Sequence, residues 1–104
     1  MKENNFDEKT CPVKKALEVI GGKWKLRIID KLSQGTIRYG ELKKSIPDIS
    51  EKMLIQELKS LVALEMIKKK AYPEIPPRVE YSLSPKGGEI IPILDLMKQF
   101  GTKL

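Results

Sequence analysis

Between Ser50 and Leu64, a helix would set Lys52, Gln56, Lys59 and Ala63 on one side: two cations, one amide and one small residue. That combination suits a polyanion that also presents hydrogen-bonding edges. Lysine supplies point charges for phosphate, and Gln56 carries the paired donor and acceptor that match the edge of an adenine. Glu51 and Glu57 fall on the flanks, so the outward stripe stays positive. Further cations, Lys43, Lys44, Lys69, Lys70 and Arg78, lie before and after this stretch and are candidates for phosphate contacts, as is Lys59 itself. The plainer alternative is a solvated polar face on an ordinary core helix, because polar outer faces are the rule.

Cys11 is the single cysteine, and the chain has no histidine. One cysteine excludes an internal disulfide and any zinc site built from several thiolates, and the lack of histidine removes the commonest general base and metal ligand. A cysteine nucleophile wants a nearby base, and no Gly-rich phosphate loop or carboxylate cluster is present, so the residues argue against an enzyme and imply neither cofactor nor metal. Cys11 has its own possible chemistry. It precedes Pro12 at a predicted helix start, where the helix dipole favours a thiolate, with Lys14 and Lys15 about one turn on. The competing role is a small packing residue, since free cysteines are often buried.

With 20 Lys+Arg against 14 Asp+Glu, the net charge of +6 favours polyanionic partners without choosing among DNA, RNA and a membrane surface. The 104 residues suffice for one domain with one modest core. No apolar run approaches the ~18 residues of a membrane span, and the polar start shows no export signal, so a cytoplasmic protein without membrane contact is expected.

The elements that must hold these residues follow from period and punctuation. Residues 1–10 lack apolar periodicity and read as a mobile arm, leaving 11–104 as the folded domain. Pro12 opens a helix on Val13, Ala16, Leu17 and Ile20, closed by Gly21-Gly22. Trp24, Ile28, Ile29 and Leu32 give a second helix of about ten residues, with Trp24 as a core anchor. Thr36 to Arg38 favours β structure, and Tyr39 to Ile46 makes a brief helix that Pro47 ends. Ser50 then caps the long helix, whose Leu54, Leu58 and Leu61 form its core side. Two helices joined by so tight a turn have helix-turn-helix spacing. In that motif the second helix enters the major groove, placing Ser50, Lys52, Met53 and Gln56 nearest the bases.

From Met66 the pattern alternates every two residues, predicting a hairpin from about Ile67 to Tyr72 and Arg78 to Leu83 with a stiff, proline-rich tip. Its lysines are candidates for phosphate, or simply an edge protected against aggregation. Ser84-Pro85 opens a last helix, about 84–104, dense in Ile90, Ile91, Ile93, Leu94, Leu96, Met97 and Phe100. Pro92 should bend it near its first turns. So much apolar surface needs a second cover, and a partner subunit is the economical source.

This order of elements, mainly α with a small β-hairpin wing, is that of a winged helix-turn-helix. Cys11-Pro12-Val13, Ile20-Gly21-Gly22-Lys23-Trp24-Lys25, Ile49-Ser50-Glu51-Lys52-Met53-Leu54 and Tyr72-Pro73-Glu74-Ile75-Pro76-Pro77-Arg78-Val79-Glu80-Tyr81-Ser82-Leu83 resemble the HxlR-type family of bacterial transcriptional regulators, MarR-like in shape. The resemblance runs from 11 to about 101. It implies a homodimer on a pseudo-palindromic operator in double-stranded DNA, with Ser50, Lys52, Met53 and Gln56 in the major groove and the wing along the backbone or minor groove. It also implies dimerisation through both terminal helices, giving Val13, Leu17, Ile90, Ile93, Leu94, Met97 and Phe100 as the expected interface. Several relatives use a cysteine at the place of Cys11 to sense oxidants, quinones or aldehydes. The alternative is a winged-helix module for protein or RNA contacts. No residue pattern identifies a small-molecule effector.

Overall fold

The structure, a computed structural model, describes residues 9–104; most of the expected arm, 1–8, lies outside the described residues. α1 (Pro12–Ile20) starts with proline in its first turn and ends where the Gly21 N–H bonds back to the Leu17 carbonyl at 2.7 Å. Gly22 follows at φ +88°, a left-handed conformation that favours glycine and turns the chain toward α2. α2 (Lys25–Leu32) is eight residues long, slightly shorter than its periodicity predicts. β1 (Ile37–Arg38) leads into α3 (Tyr39–Ser45), and after a short turn α4 (Glu51–Ala63) forms the long helix.

β2 (Ile67–Tyr72) and β3 (Arg78–Leu83) are the predicted hairpin, pairing Ile67 with Leu83 through Tyr72 with Arg78. The hairpin is not alone. β1 pairs antiparallel with β3, Ile37 opposite Tyr81, so the sheet has three strands in the order β1-β3-β2. A two-residue strand has too little alternation to announce itself, and its pairing is decided by the packing of α3 beside it.

One core gathers Ile28, Ile29 and Leu32 from α2, Leu42 from α3, Leu54, Leu58 and Leu61 from α4, and Ile67 and Tyr81 from the sheet. The predicted inner stripe of α4 is thus fully buried, each leucine contributing ~1.5–3 kcal/mol by leaving water. Trp24 is half-buried and packs against this cluster, as its helical spacing implies.

The final segment departs from expectation. Instead of one bent helix, the chain makes α5 (Pro85–Gly88) and then α6 (Ile91–Gly101), with Pro92 in the first turn of α6. Proline there lacks only an N–H that the helix start would leave unpaired, so a new helix costs less than bending an old one. Gly87 lies so close to the Met66 carbonyl that any side chain would strike it. Ser84 locks this corner: its Oγ accepts from the Gly87 N–H at 3.0 Å and donates to the Glu65 carbonyl at 2.6 Å.

Candidate nucleic-acid interface

Three polar contacts position α4 and the turn that enters it. Ser50 caps it, its Oγ accepting from the Met53 N–H at 3.1 Å. Lys25 of α2 reaches Glu57 at 2.7 Å in a half-buried pair, and Arg27 grips Asp48, in the turn before α4, with two bonds of 3.0 and 2.9 Å. Arg27 holds the Asp48 carboxyl down to about 2 and is itself raised by it. This second pair is exposed, so its role is to orient the turn more than to stabilise the fold.

Lys52, Gln56, Lys59 and Ala63 are all exposed, and no ion pair or side-chain hydrogen bond among the described residues engages the first three. They form a free, basic, hydrogen-bonding stripe. The other two expected reading residues are more committed: Ser50 spends its oxygen on the cap, and Met53 is half-buried against the core. Of the cations on α3, Lys44 lies 3.9 Å from Glu41 in a weak exposed pair, and Lys43 is partly buried.

The wing is built differently. The Tyr72 ring lies under the guanidinium of Arg78 at 3.9 Å and the ammonium of Lys70 at 5.0 Å, and its hydroxyl donates to Glu80 at 3.2 Å. Arg78 also pairs with Glu74 at 3.0 Å and Glu80 at 3.7 Å, and its Nε is buried without a hydrogen-bond partner. Arg78, expected to meet phosphate, is therefore bound into the wing itself. The alternation of β3 sets Arg78 and Glu80 on one face, a sequence signal for this pairing that the count of cations overrides. Lys69 remains exposed, and beyond it the proline tip projects, Ile75 being fully exposed.

Between wing and α4 lies an open cleft of about 790 Å³, with Ile55, Lys59 and Val62 on one wall and Lys69, Val79 and Tyr81 on the other. Arg38 and Tyr39 also line it, and neither was expected from the sequence. Their only advance signal is adjacency to the short β stretch. Burial, reinforced by the Glu51 charge, raises the pKa of the Tyr39 phenol.

Away from the lining of this cleft, Val13 and Leu17 on α1 are 67% and 59% exposed, and Ile93, Leu96, Met97 and Phe100 on α6 are exposed apolar residues as well. Ile90 and Leu94, expected with them, differ: at 7% and 6% exposed they pack into the chain's own core and have little surface to offer a partner. Lys98 ties α6 to Asp30 of α2 at 2.8 Å. Cys11 is half-buried at the N-cap of α1 and makes no capping hydrogen bond through its side chain. Among the described residues no cluster of His, Cys, Asp or Glu is suited to a metal ion, and no helix is long and apolar enough to cross a membrane.

Comparison with known proteins agrees with this architecture. An uncharacterized HTH-type transcriptional regulator of Methanothermobacter thermautotrophicus is 43% identical over 95 residues, 91% of this chain and 72% of the relative. A solved structure from Porphyromonas gingivalis W83, named as a MarR-family transcriptional regulator, superposes with a TM-score of 0.88 at 52% identity, covering 98% of this chain and 97% of that one. The redox regulator HypR in its oxidized form superposes with a TM-score of 0.85 at 37% identity, covering 90% and 97%. The family model for the HxlR-like helix-turn-helix matches residues 19–104, and the chain belongs to that family.

Proposed function

We propose that this protein is a transcriptional regulator that binds a pseudo-palindromic operator as a homodimer in the cytoplasm, and that it acts by binding and not by catalysis. The observation that carries the reading is the unpaired stripe of Lys52, Gln56 and Lys59 on a helix whose opposite side is fully buried. Gln56 and Lys52 discriminate bases, helped by the Ser50 hydroxyl, while Lys59, Lys69, Lys43 and Lys44 meet phosphates. The names of the relatives support regulation, and the apolar faces of α1 and α6 support pairing with a second copy. A twofold axis would then set two α4 helices about one turn of DNA apart, ~34 Å.

Competition between duplex DNA and structured RNA for the labelled protein tests the class. Duplex should win at every salt concentration, and preference for RNA would transfer the fold to the interaction-module reading.

Redox control through Cys11 is part of the proposal, supported by the similarity to HypR and by the lack of any capping bond on this half-buried thiol. Without a second cysteine, a reversible oxidised form is a sulfenic acid, a mixed disulfide or a bridge between two Cys11 residues. Cys11→Ser should keep its DNA affinity on peroxide or quinone treatment while the unsubstituted protein changes. Equal responses would remove Cys11 from the mechanism.

A further inference from the structure

Lys52, Ile55, Lys59 and Val62 follow one another at spacings of three, four and three, so they form a second stripe along the wing-side flank of α4 in which cation and apolar residue alternate. Ile55 stands in the second turn, within the half of such a helix that meets bases, and 42% of its surface is exposed. It lines the cleft toward the wing and is not among the residues that build the core. A single exposed isoleucine is ordinary on a protein surface. One framed by Lys52 and Lys59 on the reading helix has a narrower meaning, because a base-reading lysine on one side and a phosphate-binding one on the other would hold it at the groove.

The major groove displays donors and acceptors on every base pair but one apolar group, the C5-methyl of thymine. We propose that Ile55 is a specificity-determining residue that packs against a thymine methyl in each half-site. This inference rests on the operator-binding reading and adds to it an apolar contact beside the polar one of Gln56. The two residues are neighbours in sequence and diverge by about 100° around the helix, so they read different positions.

The test uses a duplex selected by the protein from random DNA and resynthesised with deoxyuridine at each thymine in turn, which removes the methyl and keeps the base pair. For the unsubstituted protein, one thymine per half-site should weaken binding about fourfold when replaced, the value for ~0.8 kcal/mol per buried methyl-sized group. Replacing both half-site thymines should weaken it about fifteenfold by the same measure. Ile55→Ala should bind the thymine and deoxyuridine duplexes equally, while Ile55→Val and Gln56→Ala should keep the difference. The Val variant guards against a general loss of folding at this position. Indifference of the unsubstituted protein to deoxyuridine at every site would overturn the Ile55 role alone, as would a difference that survives in Ile55→Ala. Failure to select any duplex would overturn the operator-binding reading, and Ile55 with it.

Discussion

α4 and the wing carry similar cations and use them in opposite ways. α4 is anchored by Leu54, Leu58 and Leu61 in the core, so its outward polar residues have no structural duty and stay unpaired. The wing projects past the core, with Ile67 buried at its base and Ile75 fully exposed at its tip. Burial is scarce there, and Arg78, Glu74, Glu80 and Tyr72 tie the strands together instead. On α4, held by apolar burial, Lys52 and Lys59 stay free for a partner even though Glu57 pairs with Lys25; on the wing, where burial runs out, Arg78 is drawn into holding the strands while Lys69 stays exposed. A count of cations does not separate the two cases.

The largest expected effect breaks the anchored side of this comparison. Leu58→Ala should cost ~2–5 kcal/mol of stability in denaturant unfolding, because it opens a cavity under the centre of α4. A loss within ~0.5 kcal/mol, the range of ordinary surface changes, would show that α4 is not held by burial. Gln56→Ala should leave stability alone and weaken operator binding by ~1–3 kcal/mol with nonspecific binding unchanged. Equal losses on both DNAs would remove its reading role.

A matched pair of variants, one from each region, sets the two uses of charge side by side. Lys59→Met should make the fall of log affinity with log salt shallower by about one per copy, as expected for a lost phosphate contact. Arg78→Met should leave that slope nearly unchanged while hydrogen exchange quickens along β2 and β3. If Arg78→Met flattens the slope as Lys59→Met does, the wing arginine is a phosphate ligand and the contrast between the two regions fails.

The smallest effect concerns the turn before α4. Arg27 holds the Asp48 carboxyl near 2, below its ordinary 3.8, so the pair's contribution is complete above 3.8 and is lost as pH falls toward 2. Melting temperature followed through that window should decline less steeply in Asp48→Asn. Superimposable declines would mean the pair orients nothing that the fold requires.

How much of this was legible beforehand depended on the range of the interactions. The α4 stripe and its Ser50 cap follow from local period and spacing, and Tyr72 to Arg78 reads as a proline-stiffened tip from composition alone. β1 was too short to declare a partner, since its pairing with β3 spans more than forty residues of sequence. Ile90 and Leu94 look the same as Ile93 and Met97 in a dense apolar run. Which of them faces the core was settled only when the chain broke between α5 and α6 and reset the phase of the helix. Arg78 differs for another reason: a cation beside lysines reads as one more phosphate contact, and its pairing with Glu74 and Glu80 within the wing depends on packing that the sequence does not display.

Selection of bound duplexes from a random library at near-physiological salt tests the central claim most directly, because backbone attraction alone is weakened there. The expected product is an inverted repeat whose half-sites lie about one helical turn apart, ~34 Å between centres. Recovery of no shared sequence, with binding that vanishes as salt rises, would contradict it and reduce the free face of α4 to a general attraction for polyanions.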